Sequence, residues 1–423
     1  MVRVSGAGAR AIAESILGGV PAPRSATLAD FRAAAGEPID RGIALFFPAP
    51  HSYTGEDVLE LQAHGGPFVM QQLLARCVES GARIAEPGEF TRRAFLNDRI
   101  DLAQAESVAD LIDAASVEAA RSAARSLAGE FSRRVHALAE GILDLRMHVE
   151  ACIDFPEEEI DPADRAEMER KRRALSADLD ALLAHARQGA VLREGLTVVL
   201  AGAPNVGKSS ILNRLAGDEV AIVTPVAGTT RDYVRATIAV EGVPIHLIDT
   251  AGLRETDDPV ERIGVERAWR AIETAGAALL IESAVDEGAP GDFGLSRLPE
   301  GLPRARVVNK IDLAGPASGG RASGAELRVS AKTGEGMEAL RSWLLKAAGW
   351  EPHGEGLFMA RERHVRALEE TRTHLAQAAV VTQAFDLMAE ELRLAHAALG
   401  QITGEVAADD VLAAIFSRFC IGK

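Results

Sequence analysis

The sequence predicts a multidomain fold of the α/β and α classes, in which an α/β domain is inserted in a helical domain and a small α+β domain precedes both. The chain has 423 residues, more than one hydrophobic core usually serves. Strand and helix patterns alternate between Gly195 and Trp350, whereas helical periodicity dominates on either side of that stretch. We therefore place the domain boundaries at residues 1–98, 99–193, 194–350 and 351–423.

The first segment, residues 1–98, mixes strand and helix signals. Short β-type runs at Ile43–Phe47 and Val58–Leu61 alternate with Gly and Pro turns, and helical stretches fall near residues 7–17 and 67–80. This mixture predicts a small α+β domain.

Apolar residues recur at helical spacing on both sides of the inserted segment. In front of it they form two runs, Leu102, Ala105, Val108, Ala109 and Ile112, and then Leu138, Ile142, Leu145 and Val149. A polar helix rich in Arg, Ala and Leu then extends to about Arg187. Behind the insertion, residues 364–399 are periodic again, and so are residues 410–419, with one apolar face formed by Leu412, Ile415, Phe416 and Phe419. These segments predict one helical domain in two parts.

Composition excludes several classes of protein. The net charge is -16, so no global positive field attracts nucleic-acid phosphates, and any RNA contact must come from a local patch or a partner. Cys77, Cys152 and Cys420 form no CxxC pair, which argues against a disulfide framework or a zinc site. No apolar run has the length of a signal peptide or a membrane span. We expect a cytoplasmic protein without a membrane partner.

An apolar run at Leu196–Gly202 leads directly into Gly202–Ser209 (GAPNVGKS), a full match to the GxxxxGKS pattern. Strand, loop and helix follow one another here, as this motif requires. Its glycines let backbone N–H groups approach phosphates, Lys208 neutralises the β- and γ-phosphates, and the Ser209 hydroxyl can bind Mg²⁺. The motif predicts a nucleoside triphosphate site.

Three further motifs follow in the order expected of a guanine-nucleotide site. A strand pattern ends in Asp249–Gly252 (DTAG), where Asp249 can hold the Mg²⁺ shell. Asn309–Asp312 (NKID) closes another strand, and the Asp312 carboxylate can accept two hydrogen bonds that guanine donates and adenine does not. Ser330–Lys332 (SAK) offers a backbone N–H to the guanine carbonyl. The inserted domain is therefore predicted to be a P-loop GTPase domain.

The hydrolytic residues are less obvious from the sequence. Thr224–Asp232 (TPVAGTTRD) occupies the place of the first switch loop, and Thr230 is the candidate second hydroxyl ligand of Mg²⁺. Ras-type enzymes carry a water-orienting Gln just after the DxxG glycine, but Leu253 fills that position here. Glu261 can orient the attacking water instead, although the same residue would also suit a solvent-exposed helix.

Motifs spread over nearly the whole chain resemble the MnmE (TrmE) family of tRNA-modification GTPases. Besides the switch sequence and the DTAGLRE segment, they are Arg3–Gly6 (RVSG), Tyr53–Asp57 (YTGED), His64–Gly66 (HGG), Pro87–Thr91 (PGEFT), Ala94–Asp98 (AFLND), Asp101–Glu106 (DLAQAE) and Phe419–Lys423 (FCIGK). Most of these motifs lie outside the nucleotide-binding core, which makes the resemblance specific.

The resemblance implies that the N-terminal domain dimerises the protein and binds a one-carbon donor, 5-formyl- or methylene-tetrahydrofolate. It also implies a homodimer that forms a heterotetramer with the flavoprotein MnmG (GidA) and adds an aminomethyl or carboxymethylaminomethyl group to C5 of the wobble uridine of tRNA. By motif, the folate site falls on Arg3, Glu60, Arg99 and Lys423, and Arg99 replaces a lysine that is usual in the family. Glu261 and Cys420 fall on the catalytic positions.

The resemblance also assigns two cation sites. Mg²⁺ falls on Ser209 and Thr230, and K⁺ falls on Asn205, Thr224, Val226 and Thr229. Potassium would supply the charge that an arginine finger supplies elsewhere, with Arg231 and Arg254 as competing donors. The residues expected to contact GTP are Asn205, Val206, Gly207, Lys208, Ser209, Ser210, Thr224, Pro225, Val226, Ala227, Gly228, Thr229, Thr230, Asp249, Thr250, Ala251, Gly252, Asn309, Lys310, Asp312, Ser330, Ala331 and Lys332.

One departure from the family and two other functions have to be weighed. The family carries a short Gly-rich strand segment ahead of RVSG, so either the start of the gene is misassigned or the chain is truncated, which bears on whether the folate pocket is complete. A regulatory GTPase of ribosome assembly also fits the nucleotide motifs, but it predicts a basic RNA-binding appendage that the sequence does not show. A folate-binding scaffold with a GTP-driven switch predicts that Cys420 is a small buried residue whose loss is tolerated.

Overall fold

The computed structural model of the chain describes residues 1–154, 162–218, 236–249, 273, 275–285, 301–314, 326–351, 356–405, 415–416 and 419. The chain divides into two compact units. One unit consists of residues 1–109, 127–159 and 381–423, and the other of residues 110–126 and 160–380. The predicted domain boundaries stay predictions.

Strands and helices are numbered here in chain order over the described ranges. The strands are β1 (Val2–Ser5), β2 (Thr27–Arg32), β3 (Pro38–Phe47), β4 (Val58–Gln62), β5 (Leu196–Ala201), β6 (Ala236–Val240), β7 (Val243–Asp249), β8 (Ala277–Ser283), β9 (Arg304–Asn309) and β10 (Glu326–Arg328). The helices are α1 (Ala9–Leu17), α2 (Pro67–Glu79), α3 (Glu89–Leu96), α4 (Leu102–Ile112), α5 (Val117–Leu127), α6 (Glu130–Asp154), α7 (Pro162–Glu194), α8 (Lys208–Asp218), α9 (Met337–Ala347), α10 (Glu362–Val380) and α11 (Phe385–Thr403).

The first unit contains a four-stranded antiparallel sheet in the order β1-β4-β3-β2. Side chains alternate between its faces, so that Phe46, Leu59 and Leu61 pack with Ile12 of α1 and Leu73 of α2 in one buried cluster. The predicted α+β character of residues 1–98 is confirmed, because both predicted strand runs and both helical stretches form.

Long helices make up the rest of the first unit, in which α6 packs along α11. The predicted run Leu138, Ile142, Leu145 and Val149 is buried on α6. Near the C-terminus, Ile415, Phe416 and Phe419 are buried with Leu102 and Ala105, as the predicted apolar face requires, whereas Leu412 lies outside the described residues.

The second unit contains a six-stranded sheet in the order β10-β9-β8-β5-β7-β6. Neighbouring strands are parallel except for β6 and β7. Central parallel strands are covered on both faces, which explains the continuous apolar runs at Leu196–Ala201 and Ala277–Ile281. Because the carboxyl ends of parallel strands share one edge, the loops after β5, β9 and β10 meet there. The predicted α/β domain with helical segments on either side is confirmed.

Two helices differ from their predicted extents. Helix α7 runs to Glu194 rather than to about Arg187, because Val191 and Leu192 pack on the core of the six-stranded sheet. The periodic stretch at residues 364–399 forms two helices, α10 and α11, instead of one. The chain carries three consecutive β-branched residues at Val380–Thr382, and such residues lose rotamer freedom in a helix. Over the ranges given above, no helix has the length and apolar character needed to cross a bilayer.

Candidate functional site

The P-loop sequence connects β5 to α8. Gly202 follows β5, and Lys208 begins α8, so the glycine-rich residues turn the chain from strand into helix. The Lys208 ammonium donates hydrogen bonds to the carbonyl oxygens of Gly202 and Ala203, at 2.7 and 2.9 Å. The first N–H groups of a helix lack intrahelical acceptors, so they attract anions. The lysine is thus held inside a loop that is shaped to receive phosphate.

Gly207 is the position where the P-loop comes closest to a neighbouring strand. Its φ angle is +98°, and a Cβ atom added there would lie 2.2 Å from Nδ2 of Asn309. A side chain at this position would force the P-loop away from β9. The second glycine of the motif therefore permits a close approach between two nucleotide-binding segments.

Asn309 ties three of the predicted nucleotide segments together. It is buried, and its Nδ2 donates to the carbonyl oxygen of Val206 at 3.0 Å. Its Oδ1 accepts a hydrogen bond from the backbone N–H of Ala331 at 3.1 Å. The sequence predicted Asn309 as a GTP contact, and the structure gives its amide a bridging role inside the protein. The Ala331 N–H is engaged, which turns the expected guanine contact toward a neighbouring N–H of that loop.

Asp312 is held from behind by the loop that follows β10. Asp312 lies in a short 3₁₀ turn, Ile311–Leu313, and is exposed. The buried Ser330 hydroxyl donates to Asp312 Oδ1 at 2.6 Å and accepts from the N–H of Thr333 at 3.1 Å. A carboxylate has room for several donors, so this bond orients the group without exhausting it. The geometry fits an acceptor for two hydrogen bonds from a base.

The remaining P-loop residues lie where ligands could reach them. Asn205 is exposed and has a φ angle of +66°, a left-handed conformation that Asn tolerates better than most residues. Ser209 and Ser210 are exposed in the first turn of α8, whereas Val206 is buried in the core beneath the loop. Hydroxyl and amide oxygens are ligands that hard cations accept, so Ser209 and Asn205 fit the predicted cations.

Other predicted residues lie outside the described part of the chain. Asp249 ends β7, but its side chain is outside that part. The remaining ones are Thr224, Pro225, Val226, Ala227, Gly228, Thr229, Thr230, Thr250, Ala251, Gly252, Glu261, Cys420 and Lys423. Their roles stay predictions. In the residues that are described, no group of three or more His, Cys, Asp or Glu side chains is arranged to hold a metal ion.

A second candidate site lies in the N-terminal sheet. Arg3 of β1 is paired in register with Glu60 of β4, and two guanidinium nitrogens lie 2.8 and 2.7 Å from Glu60 Oε1. The Arg3 guanidinium also lies 5.9 Å from the centre of the Tyr53 ring and 5.7 Å from that of Phe90. Two of the predicted folate residues therefore form one charge pair beside two aromatic rings.

Arg99 reaches the same region through the loop that contains Tyr53. Its Cγ lies 3.3 Å from the position that a Cβ would take on Gly55, two residues after Tyr53. Arg99 is exposed, so its guanidinium is open to a ligand. Arg3, Glu60 and Arg99 are thus all associated with one end of the N-terminal sheet, while Lys423 is outside the described residues.

A network of charges at the start of α3 was not foreseen from the sequence. Glu89 accepts hydrogen bonds from Arg83, from Arg93 and from the N–H of Glu86, and Arg93 also donates to Glu56 at 2.8 Å. The hydrogen bond from Arg83, supported by those from Glu86 and Arg93, lowers the pKa of Glu89 to about 2. The PGEFTRR sequence carried a signal, because Glu89 and Arg93 are spaced to pair on one helix face.

A cavity of about 650 Å³ runs along β1, which is an edge strand of the described sheet. Its lining combines apolar side chains, including Met70 and Leu74, with the charged groups of Arg3, Glu89 and Arg93. This size and mixed lining are typical of small-molecule sites. Of the predicted folate residues that the structure describes, Arg3 alone lines it.

The C-terminal residues pack against the start of α3. A Cβ atom on Gly88 would lie 2.7 Å from the carbonyl oxygen of Phe416 and 3.0 Å from Cβ of Phe419. Phe419 precedes Cys420 in the sequence, and Phe90 follows Gly88 by two residues and flanks Arg3. The contact brings the end of the described chain to the helix that borders the second candidate site.

Comparison with known proteins adds two matching family models. The model described as GTP-binding protein TrmE N-terminus matches residues 1–99, and the model described as MnmE helical domain matches residues 102–420. The G domain of the T. maritima FeoB iron transporter is 24% identical over 36% of this chain, but its TM-score of 0.25 is too low to support an argument.

Curated relatives match the whole chain. The tRNA modification GTPase MnmE of Ralstonia nicotianae is 58% identical over 442 residues, which cover 100% of this chain and 93% of that protein. The proteins of the same name from Azoarcus sp. and from Neisseria meningitidis serogroup C / serotype 2a are 58% and 57% identical, over 100% of this chain and 94% and 95% of their own lengths. With the P-loop and guanine-selecting geometry described above, these matches make the chain a GTP-hydrolysing enzyme, and it belongs to the MnmE (TrmE) family of GTPases.

Proposed function

We propose that this chain is the GTP-hydrolysing subunit of a tRNA-modifying complex that adds an aminomethyl or carboxymethylaminomethyl group to C5 of the wobble uridine. The observation that carries the proposal is the extent of the match. The Ralstonia relative is 58% identical over the whole chain rather than over the nucleotide segment alone. A GTPase with another task would need to match only the residues that handle GTP.

In the proposed GTPase step, Lys208 contacts the β- and γ-phosphates, and Asp312 accepts hydrogen bonds from guanine. Ser209 and Thr230 hold Mg²⁺, which neutralises phosphate charge when bound. Glu261 orients the attacking water in place of the missing Gln. The engaged position of Lys208 inside its loop supports the first assignment, because the ammonium has only backbone carbonyls to exchange for phosphate oxygens.

We assign the predicted potassium site to Asn205, Thr224, Val226 and Thr229. A monovalent cation between the β- and γ-phosphates supplies positive charge of the kind an arginine finger supplies in other GTPases. The exposed, left-handed Asn205 supports this assignment, because its side-chain oxygen is presented at the rim of the loop and not committed to the core. Sodium is expected to substitute poorly.

The proposed one-carbon site uses Arg3, Glu60, Arg99 and Lys423 to bind 5-formyl- or methylene-tetrahydrofolate. A flat heterocycle with both donors and acceptors suits an Arg–Glu pair flanked by aromatic rings, because rings stack on its faces while the charged groups meet its edge. The packing of Phe419 on Gly88 supports a role for Cys420 at the same site.

We propose a second copy of this chain, the flavoprotein MnmG (GidA) and tRNA as partners, in the cytoplasm. The relatives' name, tRNA modification GTPase, supports the tRNA assignment. A net charge of -16 disfavours unaided tRNA binding, so most phosphate contacts would come from the flavoprotein.

The test is mass spectrometry of tRNA nucleosides from cells with and without the gene. Deletion should remove the C5-modified wobble uridines, and the wild-type gene should restore them. Cys420→Ser should fail to restore them while keeping GTP hydrolysis, whereas the control Cys152→Ser should restore them. Unchanged wobble uridines in the deletion strain would refute the proposal. Restoration by Cys420→Ser would favour a folate-binding scaffold instead.

A further inference from the structure

The turn between β6 and β7 is held by the first turn of α5. The Ser116 hydroxyl donates to the carbonyl oxygen of Gly242 at 2.7 Å and accepts from the N–H of Ala119 at 3.0 Å. The second bond is an N-cap, which stabilises the start of α5. One hydroxyl group therefore fastens the turn to the end of the helix.

The turn itself is tight and closely packed. Glu241 and Gly242 have φ angles of 48° and 85°, and they connect strands that pair from Val240 and Val243 onward. A two-residue connection of this kind fixes the register of the hairpin. A Cβ on Gly242 would lie 2.9 Å from Cβ of Glu118, so the turn rests directly on α5.

The other end of α5 is anchored in the chain that follows the six-stranded sheet. Ser126 Oγ donates to the carbonyl oxygen of Met359 at 2.9 Å, and the N–H of Met359 donates to the carbonyl oxygen of Ser122 at 3.2 Å. Ala119, Ala123 and Met359 form a small buried cluster beside these bonds. Movement of the turn would therefore act on a helix that is fixed at its far end.

A buried carboxylate fixes the residues just ahead of α5. Asp110 accepts hydrogen bonds from Arg193, at the end of α7, and from Arg361, just ahead of α10, at 2.9 and 2.7 Å. Removing either arginine would leave the buried charge of Asp110 less compensated, so these links resist opening. Of the contacts made by residues 110–126 described here, the one with Gly242 is therefore the one suited to change.

The hairpin joins this contact to the nucleotide motifs. In the sequence, the first switch segment Thr224–Asp232 precedes β6, and Asp249 at the end of β7 opens the DTAG motif. A strand of five residues spans roughly 16 Å, so a shift at the nucleotide end of the hydrogen-bonded pair also displaces its turn. We propose that the contact of Gly242 with Ser116 and Glu118 transmits the nucleotide state of the GTPase domain to α5.

The experiment is hydrogen exchange of peptides from α5, measured with GDP and with a non-hydrolysable GTP analogue. The wild type should show at least a fivefold difference in exchange rate between the two states, since allosteric couplings of useful size begin near that factor. Gly242→Ala should remove the difference, because its Cβ collides with Glu118. Gly301→Ala is the matched control, since Gly301 has a φ angle of 80° but nothing within 4 Å of an added Cβ.

Substitutions of Ser116 separate the turn contact from helix capping. Ser116→Asp keeps an acceptor for the Ala119 N–H but has no proton for the Gly242 carbonyl, so it should remove the nucleotide-dependent difference. Ser116→Thr keeps both bonds and should retain it. These variants also answer the question if Gly242→Ala fails to fold. Equal exchange of α5 in both nucleotide states of the wild type, or a difference that survives in Ser116→Asp, would overturn the proposal.

Discussion

The nucleotide loops at the six-stranded sheet are held by hydrogen bonds to backbone groups, whereas the candidate one-carbon site at the four-stranded sheet is held by paired charges. Lys208 and Asn309 each bond to carbonyl oxygens of the P-loop. In the N-terminal unit, Arg3 bonds to Glu60, and Arg93 bonds to two carboxylates. The first arrangement depends on the path of the chain, and the second depends on which charges the fold brings together.

This difference explains why one site was readable from the sequence and the other was not. A loop that cradles a ligand with its backbone has a contiguous sequence, such as Gly202–Ser209. Arg3 and Glu60 are 57 positions apart, and no rule of spacing connects them before the sheet is known. Only a resemblance to a known family could indicate that pair in advance.

The largest effect that we predict tests whether the nucleotide segment also has an essential residue outside its contiguous motifs. Glu261→Ala should slow GTP hydrolysis by about 10²–10⁴ and leave nucleotide affinity nearly unchanged, because a water-orienting group acts mainly in the transition state. Single-turnover kinetics would measure both quantities. Glu273→Ala, at an exposed position in the same segment, is the control. A full hydrolysis rate in Glu261→Ala would return that residue to a solvent-exposed helix.

Asp312→Asn should change which base the site accepts. We expect GTP affinity to fall at least about 100-fold, because an amide nitrogen would face the donors of guanine, and affinity for XTP to rise. Ser330→Ala should change GTP affinity in the same direction but less, since it removes only the bond that orients Asp312. Titration calorimetry with both nucleotides measures these changes. Unaltered GTP binding by Asp312→Asn would mean that the base site lies elsewhere.

The order of the nucleotide motifs predicted the strands that carry them, but not the contacts between them. The amide of Asn309 was expected at the nucleotide, yet it bridges Val206 and Ala331. Such bridges depend on the separation of β5, β9 and β10, which a single sequence does not encode as a local pattern. The break between α10 and α11 was missed for a related reason, because Val380–Thr382 contains no Gly or Pro to mark it.

Potassium dependence is the next largest effect, and it tests whether a side chain also contributes to the site built from backbone. GTP hydrolysis should be faster in potassium than in sodium at equal ionic strength. Asn205→Ala should lower the potassium-stimulated rate at least about 10-fold, because the charge that replaces an arginine finger loses a ligand. Pro204→Ala, at the neighbouring exposed position, is the control. Equal rates in both salts would show that the charge comes from another source, such as Arg231 or Arg254.

Arg3→Lys sharpens the comparison on the side of paired charges. Lysine keeps the charge but loses the planar fork that meets Glu60 and lies beside the Tyr53 and Phe90 rings, so the Kd for 5-formyl-tetrahydrofolate should rise about 10-fold. Arg10→Lys is a closely matched control, because Arg10 also pairs with a carboxylate, that of Asp57, and lies 4.9 Å from an aromatic ring. Equal losses in both variants would indicate a general loss of structure instead of a folate contact.

The smallest effect concerns the charge network at the start of α3. Glu89→Gln removes a mostly buried carboxylate that Arg83 and Arg93 both contact, and its partner charges remain. We expect the free energy of local unfolding at pH 7 to fall by about 1–2 kcal/mol, since the exposed head of Arg83 weakens the pair. Hydrogen exchange of peptides from β4 measures this quantity. Glu390→Gln, which breaks an exposed pair with Arg393, should change nothing measurable.

The pH dependence of the same variant distinguishes a charge effect from a packing effect. The pKa of Glu89 is lowered from 4.5 to about 2 in the folded state, so its ionised form stabilises the fold. That stabilisation is fully present above about pH 4.5 and declines as the pH falls toward 2, because the unfolded chain then binds a proton that the folded chain does not. The difference between wild type and Glu89→Gln should therefore shrink between pH 5 and pH 3. A difference that stays constant over this range would mean that the charge of Glu89 contributes nothing and that the variant loses packing alone.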